Sequence, residues 1–418
     1  MTRRLTVIGL GYIGLPTAAV FAEAGFIVAG VDVNPDAVEA INEGRSHIYE
    51  PGLDQLVKEV VTSGALTASL EPTPADSFII AVPTPFKGAH EPDLSYVEAA
   101  TRSIAPLLQP GNLIVLESTS PIGATEQVAA WIQELRPDLK LPLGGTASDV
   151  SLAYCPERVL PGKILDEIKN NDRLLGGLSP ACAQQAAELY SVVASGKCHT
   201  TSARTAELAK LSENAFRDVN IAFANELSVI ADRFNIDVRE LIELANLHPR
   251  VNILQPGPGV GGHCIAVDPW FIVNSAPDAA LLIKQARLTN DSKPSWVVDQ
   301  VLASIQDHPD GAIACLGLAY KPDIDDLRKS PALEVVRQLA TATSRAVTVV
   351  EPNISELPDS LRGLGIELLD LQDALDTADV VVGLVAHRQF VALSNSALRD
   401  QTVIDAAGVF PGLTSLKR

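Results

Sequence analysis

The sequence predicts an α/β protein: two parallel-sheet domains joined by a long central helix and a helical region. Three observations carry the prediction. The chain has 418 residues, too many for one ordinary core. Apolar strand-like runs alternate with helical patterns towards both ends. Between them, "TAELAKLSENAFRDVNIAFANELSVIADRFN" has neither Pro nor Gly and keeps apolar residues at helical spacing. That stretch predicts a helix of roughly eight turns at 3.6 residues per turn. The expected segments are 1–200, 201–308 and 309–418.

The elements follow in order. Leu5 to Leu10 read as a buried strand, Gly11 to Gly14 as a turn, and the next residues to about Gly25 as a helix. "FIVAGVDVN" reads as a second strand ending at Asp32, which completes a βαβ unit. Further strands are expected at 77–85, 113–119 and 150–158. After the helical segment, strands are expected at 311–322, 346–353, 378–387 and 401–408, a second parallel α/β domain.

Composition excludes several classes of function. The formal net charge of -19 repels nucleic acid and anionic membrane surfaces. It leaves room for small phosphorylated ligands, which a few placed groups can bind locally. There is no apolar run of about 18 residues, so no membrane span is expected. The N-terminal stretch enters a strand directly and lacks a leader pattern. The five cysteines form no CxxC pair, so no metal site or redox dithiol is expected. Their sparse, odd count fits a reducing cytoplasm.

"GLGYIG" places Gly9, Gly11 and Gly14 in a GxGxxG pattern between a strand and a helix. Gly9 suits a tight turn, Gly11 a close backbone approach to a pyrophosphate, and Gly14 close helix–strand packing. Asp32 can accept from both ribose hydroxyls and would repel a 2′-phosphate, which favours NAD over NADP. The alternative is a Rossmann-like glycine turn that binds something else.

"PGPGVGGHCIAVDPW" sets glycines before Cys264 and an acid, Asp268, four residues after it. Two readings stay open here: a buried core thiol behind a turn, or a nucleophile whose approach the glycines leave clear. Lys210 and Asn214, four apart, share one helix face and suit a developing oxyanion. "YCPERVLPG" carries Glu157 and Arg158 past a predicted strand end, where such sheets hold ligands. An ordinary loop ion pair is the alternative there. Lys321 and Arg328 follow the first strand of the last domain, where a solvated charged loop is the alternative.

The motifs "VIGLGYIGLP", "VPTP", "ESTSPIG", "YCPERVLPG", "TAELAKLSENAFRDVNIAFANE", "HPRVNILQPGPGVGGHCIAVDPW" and "LAYKPDIDDLRKSP" occur in this order. Together they resemble the UDP-glucose/GDP-mannose dehydrogenase family over essentially the whole chain. The resemblance implies a four-electron oxidation of a sugar C6 alcohol to a carboxylate with two NAD. It assigns Cys264 as the nucleophile and Lys210, assisted by Asn214, as the oxyanion group. Asp268 would position water or shuttle a proton, and Glu157 would be the base for thioester hydrolysis. For NAD it carries over Tyr12, Ile13, Asp32, Thr84, Thr119, Thr125 and Arg328 beside the three glycines. For the UDP-sugar it carries over Arg158, Val159, Lys210, Asn214, Arg217, Gly261, Tyr320 and Lys321. His248 and Arg250 resemble the segment that family members insert into a neighbouring subunit's sugar site. The central helix would then be the interface of a homodimer or a larger homo-oligomer. One departure is Ala407 in "DAAGVF", where relatives often place a basic residue.

"FRDVNIAFANE" differs from relatives that oxidise UDP-glucose or GDP-mannose, and Arg217 could donate to an acetamido carbonyl. The expected substrate is therefore a UDP-N-acetylhexosamine, and the resemblance of the middle motifs implies UDP-N-acetyl-D-mannosamine. UDP-N-acetyl-D-glucosamine and UDP-glucose are the alternatives. A catalytically dead nucleotide-sugar binder and an alcohol dehydrogenase that stops at the aldehyde are the readings of other classes.

Overall fold

In Arg4–Ile8 (β1) the four residues after Arg4 are buried, Thr6 among the apolar ones, as a strand must be when helices pack on each side of a parallel sheet. It lies between Ile27–Val31 (β2) and Ser77–Ile80 (β4), with Val7 opposite Gly30 and Ile79. Leu66–Ser69 (β3) flanks β2. Phe86–Lys87 (β5) and Glu91–Pro92 (β6) form a separate small hairpin. On the other side follow Leu113–Leu116 (β7), Ser151–Tyr154 (β8), Arg173–Gly177 (β9) and Cys198–Ser202 (β10). The sheet order is β10-β9-β8-β7-β4-β1-β2-β3, so the chain changes direction between β1 and β4. Such switch points open a crevice at the strand C-termini. Alternate side chains feed two cores, one with Val7, Ile79 and Val115, the other with Ile8, Ile80 and Leu116.

The structure, a computed structural model, describes residues 3–88, 90–143, 148–307, 311–393, 398 and 401–410. It divides into two compact units, Met1–Ser212 and Glu213–Arg418. Both sheets are α/β as expected, with one difference. β8 and β9 run antiparallel, so the far edge of the larger sheet is mixed. Strand β3 alternates apolar and polar residues but spans only four, LTAS, whereas β10 reads CHTTS, is half exposed and shows no apolar alternation.

The long helix runs Ala203–Arg233, 31 residues, as its pattern predicts. In the second unit, Ile313–Leu316 (β11), Val347–Val350 (β12), Ile366–Leu368 (β13), Val380–Gly383 (β14) and Thr402–Asp405 (β15) form a parallel sheet ordered β13-β12-β11-β14-β15. Among the described residues, no helix is long and apolar enough to cross a membrane.

Helix Leu281–Ser304 is joined to the long helix by buried polar groups. Arg287 pairs with Asp218 and Asp291, and Asn290 donates to Asp218 Oδ1 at 2.8 Å. Asn225 donates to Asn290 Oδ1 at 2.8 Å and accepts from the Gly257 N–H at 2.9 Å. The start of the glycine loop is thus fastened to this helix pair.

One turn on, Lys293 is buried with its ammonium 3.4 Å from the centroid of the Trp296 ring. Burial pulls its pKa down to about 7, although Asp232 pulls the other way. The unfolded chain would keep this proton to about 10.5, so between about 7 and 10.5 the unfolded state binds more protons. Stability from this group therefore rises with pH across that window. Lys293→Met is expected to stabilise the protein by about 1–3 kcal/mol at pH 7 and to flatten the rise. Urea melts of both proteins at pH 7 and pH 10 check this; a Met variant less stable at pH 7 overturns it.

Candidate active site

The first site forms at the end of β1. Gly9 has φ +90°, and a Cβ there would lie 2.6 Å from the Ala81 carbonyl oxygen. A Cβ on Gly14 would lie 1.7 Å from the Gly9 carbonyl oxygen, so the helix start rests on the turn itself. A Cβ on Gly11 would meet nothing within 4 Å. The helix Gly14–Glu23 has no side-chain cap and no acid in its first turn, which leaves N–H groups and the dipole for an anion. Asp32 accepts the Leu10 N–H and the Asn34 N–H, each at 2.9 Å, one on each oxygen. The carboxylate is thereby oriented, and each oxygen retains a lone pair for a hydroxyl. Tyr12 is exposed and Ile13 half-buried beside this turn. These features fit a dinucleotide with free ribose hydroxyls.

Two further expected residues meet beyond the ends of the adjacent strands β4 and β7: Thr84 donates its hydroxyl to the Thr119 carbonyl at 2.5 Å. Thr125 is engaged differently. It is buried, and its N–H and hydroxyl both donate to Glu207 Oε1, at 2.9 and 2.6 Å. The Gly123 N–H reaches Glu207 Oε2 at 2.7 Å. Glu207, on the long helix, thus caps the helix Ala124–Leu135 from a distance, and the Thr125 hydroxyl serves that cap. Burial pushes the Glu207 carboxyl up, and these donors pull it back.

Glu157 follows β8 and is buried. Its Oε2 meets Arg173 Nη1 at 3.0 Å and its Oε1 accepts the Arg158 N–H at 2.6 Å. Arg158 is exposed and Val159 half-buried. Glu117, Arg173 and Tyr190 complete this cluster, and local sequence does not single them out. The signal available is that Glu117 opens "ESTSPIG" directly after β7, the strand-end place that Asp32 holds after β2.

In the second unit, Cys264 is exposed. Its carbonyl accepts the Val267 and Asp268 N–H groups at 3.1 and 2.9 Å, a turn that opens the helix Asp268–Ser275. Asp268 is buried, and Asn214 Nδ2 donates to its Oδ2 at 2.6 Å. Lys210 lies one helical turn before Asn214 and is buried. Gly261 and Gly262 also do a packing job that their pattern does not suggest. A Cβ on Gly261 would be 2.6 Å from the Lys329 carbonyl oxygen and 2.8 Å from Tyr320 Cβ. Gly262 has φ +82°, and its Cβ would be 2.8 Å from the Tyr320 ring. They let the thiol loop close onto residues 320–331. Burial, then the charges of Asp326 and Cys264, push the Tyr320 phenol up. Burial, then the charge of Arg328, pushes the His263 imidazole down, against Asp326.

The loop that carries Tyr320 and the exposed Lys321 is held from below. Glu351, at the end of β12, accepts the Leu318 and Ala319 N–H groups at 2.7 and 3.0 Å. His387 Nδ1 accepts the Asp323 N–H at 2.9 Å, so its Nε2 carries the proton and donates to Glu351 at 3.0 Å. Gly317, φ +101°, repeats the turn of Gly9, and Glu351 occupies the place of Asp32. Here a histidine from within the domain fills the acid that in the first unit faces a crevice. Arg328 is exposed and paired with Asp326 at 2.5 Å. Arg217, His248 and Arg250 are exposed, the last two in a turn where the Arg250 N–H meets His248 Nδ1 at 3.3 Å. At the Ala407 departure a basic group is still present: Arg239 pairs with Asp405 at 3.4 Å and lies against Gly408. Among the described residues no group of His, Cys, Asp or Glu could hold a metal ion.

A glycine turn at a helix start, with an oriented acid at the end of the next strand, is the dinucleotide arrangement of an NAD-dependent dehydrogenase. The chain belongs to the UDP-glucose/GDP-mannose dehydrogenase family. It matches that family's NAD binding domain over residues 3–194, its central domain over 204–292 and its UDP binding domain over 314–412. It is similar to UDP-N-acetyl-D-mannosamine dehydrogenase of Yersinia pestis, 57% identical over 97% of this chain and 99% of that one. It is also similar to NDP-N-acetyl-D-galactosaminuronic acid dehydrogenase of Ralstonia nicotianae, 56% identical over 98% of this chain and 96% of that one. A solved UDP-N-acetyl-mannosamine dehydrogenase from Staphylococcus aureus has a TM-score of 0.86 and 41% identity, covering 98% of this chain and 96% of that one.

Proposed function

We propose that the chain oxidises UDP-N-acetyl-D-mannosamine at C6 to the uronate, with two NAD consumed per sugar. In this reading residues 1–200 bind the dinucleotide, 201–308 supply the thiol and the dimer contact, and 309–418 bind the UDP moiety. The observation that carries the chemistry is the Asn214–Asp268 hydrogen bond, set one helical turn from Lys210 and four residues from Cys264. Two NAD, bound in succession, would each accept one hydride. Lys210 and Asn214 steady the C6 oxygen as it loses its proton. The Cys264 thiolate adds to the C6 aldehyde, and the carbonyl oxygen becomes an oxyanion that Lys210 neutralises. After the second oxidation the thioester carbon takes a hydroxide equivalent from water, the C–S bond breaks, and the thiol is restored. Asp268 positions that water and Glu157 takes its proton. Arg217, Arg158, Val159, Gly261, Tyr320 and Lys321 are assigned to the UDP-sugar, and Arg328, Thr84 and Thr119 to NAD.

A homodimer completes the reading. Phe216, Phe223 and Ile230 are 69%, 53% and 44% exposed and recur every seven residues along the long helix, and Phe234, 69% exposed, follows its end. An apolar stripe of this kind suits a second copy of the same helix. His248 and Arg250 would then reach the partner's sugar site.

The relatives named for mannosamine and for galactosaminuronic acid differ by one point of identity, so assay must choose the sugar. With UDP-N-acetyl-D-mannosamine, UDP-N-acetyl-D-galactosamine, UDP-N-acetyl-D-glucosamine and UDP-glucose side by side, the mannosamine compound is expected to show the highest kcat/KM, with two NADH per sugar. One NADH per sugar would indicate an alcohol dehydrogenase, and none a binder.

A further inference from the structure

The second sheet repeats the dinucleotide turn of the first, bond for bond. The Gly9 N–H donates to the Val31 carbonyl at 2.8 Å, and the Gly317 N–H to the Val350 carbonyl at 2.9 Å. The Leu10 N–H meets Asp32, and the Leu318 N–H meets Glu351. The copies differ in what the acid meets next. Asp32 keeps a lone pair on each oxygen for a ligand hydroxyl. Glu351 is buried and spent within its own domain. Its Oε2 accepts the Leu318 and Ala319 N–H groups and His387 Nε2, and its Oε1 accepts the Asn353 N–H and Nδ2 at 3.2 and 3.1 Å. That leaves the loop 318–323, not the acid, for a nucleotide to meet on this domain.

The same histidine holds the far end of that loop. His387 is buried, and its Nδ1 accepts the Asp323 N–H at 2.9 Å and lies 3.3 Å from Asn353 Nδ2. Two donors aimed at one ring nitrogen mark it as the one without a proton. Asp323 has φ +60°, a left-handed conformation that a residue other than glycine keeps only where its surroundings hold it. Its carboxylate accepts the Arg388 N–H at 3.0 Å and pairs with the Arg388 guanidinium at 2.9 Å. Leu318 and Ala319 thus hang on Glu351, Asp323 hangs on His387, and one hydrogen bond joins the two holders. Tyr320 and Lys321 lie between the held ends.

We propose that His387 is a positioning residue for the nucleotide: by bonding Glu351 at one end and the Asp323 N–H at the other, it keeps the Tyr320–Lys321 corner in the shape that binds the UDP moiety. The inference rests on the reading of Tyr320 and Lys321 as UDP contacts. With the clamp cut, the corner samples other shapes, and apparent affinity falls by the fraction of molecules that keep the binding shape.

Titration calorimetry of the whole protein with UDP, beside steady-state kinetics, tests it. Asn and Gln separate the two bonds of the ring. Asn offers an acceptor where Nδ1 stands but is too short to reach Glu351. Gln reaches Glu351 with an amide N–H but leaves the Asp323 N–H without its acceptor. His387→Gln is expected to weaken UDP binding by about 5- to 20-fold and to raise the KM for the UDP-sugar alike, with kcat and the KM for NAD within about twofold of the wild type. His387→Asn is expected to restore UDP binding to within about threefold. A ring that only filled space would lower the Tm in both variants and leave the Kd for UDP alone. Wild-type UDP binding in His387→Gln, or a loss that falls on NAD as heavily as on UDP, overturns the proposal. Should both variants fail to fold, hydrogen exchange in the wild type decides: UDP should slow the Leu318, Ala319 and Asp323 amides together, and unmoved amides overturn the proposal. Lys321→Met separates the two levels. If it leaves UDP binding intact, the contact reading falls. If it weakens UDP while His387→Gln does not, the role of His387 alone falls.

Discussion

Cys264→Ala is expected to cut acid formation by about 10³-fold or more, with the covalent adduct gone. The reason is chemical. Hydride loss from a free aldehyde would leave an acylium cation; once the thiolate has added, the tetrahedral carbon can give up its hydride and become a thioester. The fold should not suffer. Cys264 is exposed, and its part in the turn is played by its carbonyl, which accepts from Val267 and Asp268 and is untouched by the substitution. Stability should therefore stay within about 0.5 kcal/mol of the wild type. Acid-quenched wild-type enzyme should carry a sugar mass on the peptide containing Cys264, and the variant should not. A variant that still yields two NADH per sugar would sink the covalent mechanism.

How far such residues can be found in the sequence depends on whether their cause is local. Gly9, Gly11 and Gly14 were legible because each answers to its own backbone: a positive φ, an open approach, a helix start packed on a turn. Asp32 was legible because a strand end fixes where an acid can point. The long helix was legible because thirty-one residues without Pro or Gly leave few other conformations. Gly261 and Gly262 read locally as open space beside a thiol. Their actual neighbours, Tyr320 and Lys329, come from some sixty residues away, and such a contact has no local signature. The same holds for the Glu117–Arg173–Glu157 cluster, whose members follow or begin three different strands. β10 escapes because an exposed edge strand needs no apolar alternation. The Glu351–His387 pair also lies outside local pattern, although Gly317 and Glu351 repeat the geometry of Gly9 and Asp32. Once the first domain is read, that repeat says where to look in the second.

Lys210→Met should differ from the cysteine variant in which half of the reaction it damages. The substitution keeps a long apolar stem in a buried position and removes only the ammonium. If Lys210 stabilises negative charge on the C6 oxygen, both oxidations need it, because that charge develops in the first step and again when the thiolate adds. Steady-state kcat should fall by about 10²–10³-fold with KM little changed, since the loss is confined to the transition state. The first NADH in a single turnover should slow as much as the second, whereas Cys264→Ala should spare the first. Stability should hold or rise, because a buried charge is gone. Lys210→Arg is expected to recover little: a planar guanidinium on a longer stem cannot place a point charge at the same atom. The measurement is a stopped-flow trace of NADH at saturating UDP-sugar. If the first phase in Lys210→Met keeps its wild-type rate, the lysine serves only the later step, and Asn214 becomes the group to test at the alkoxide.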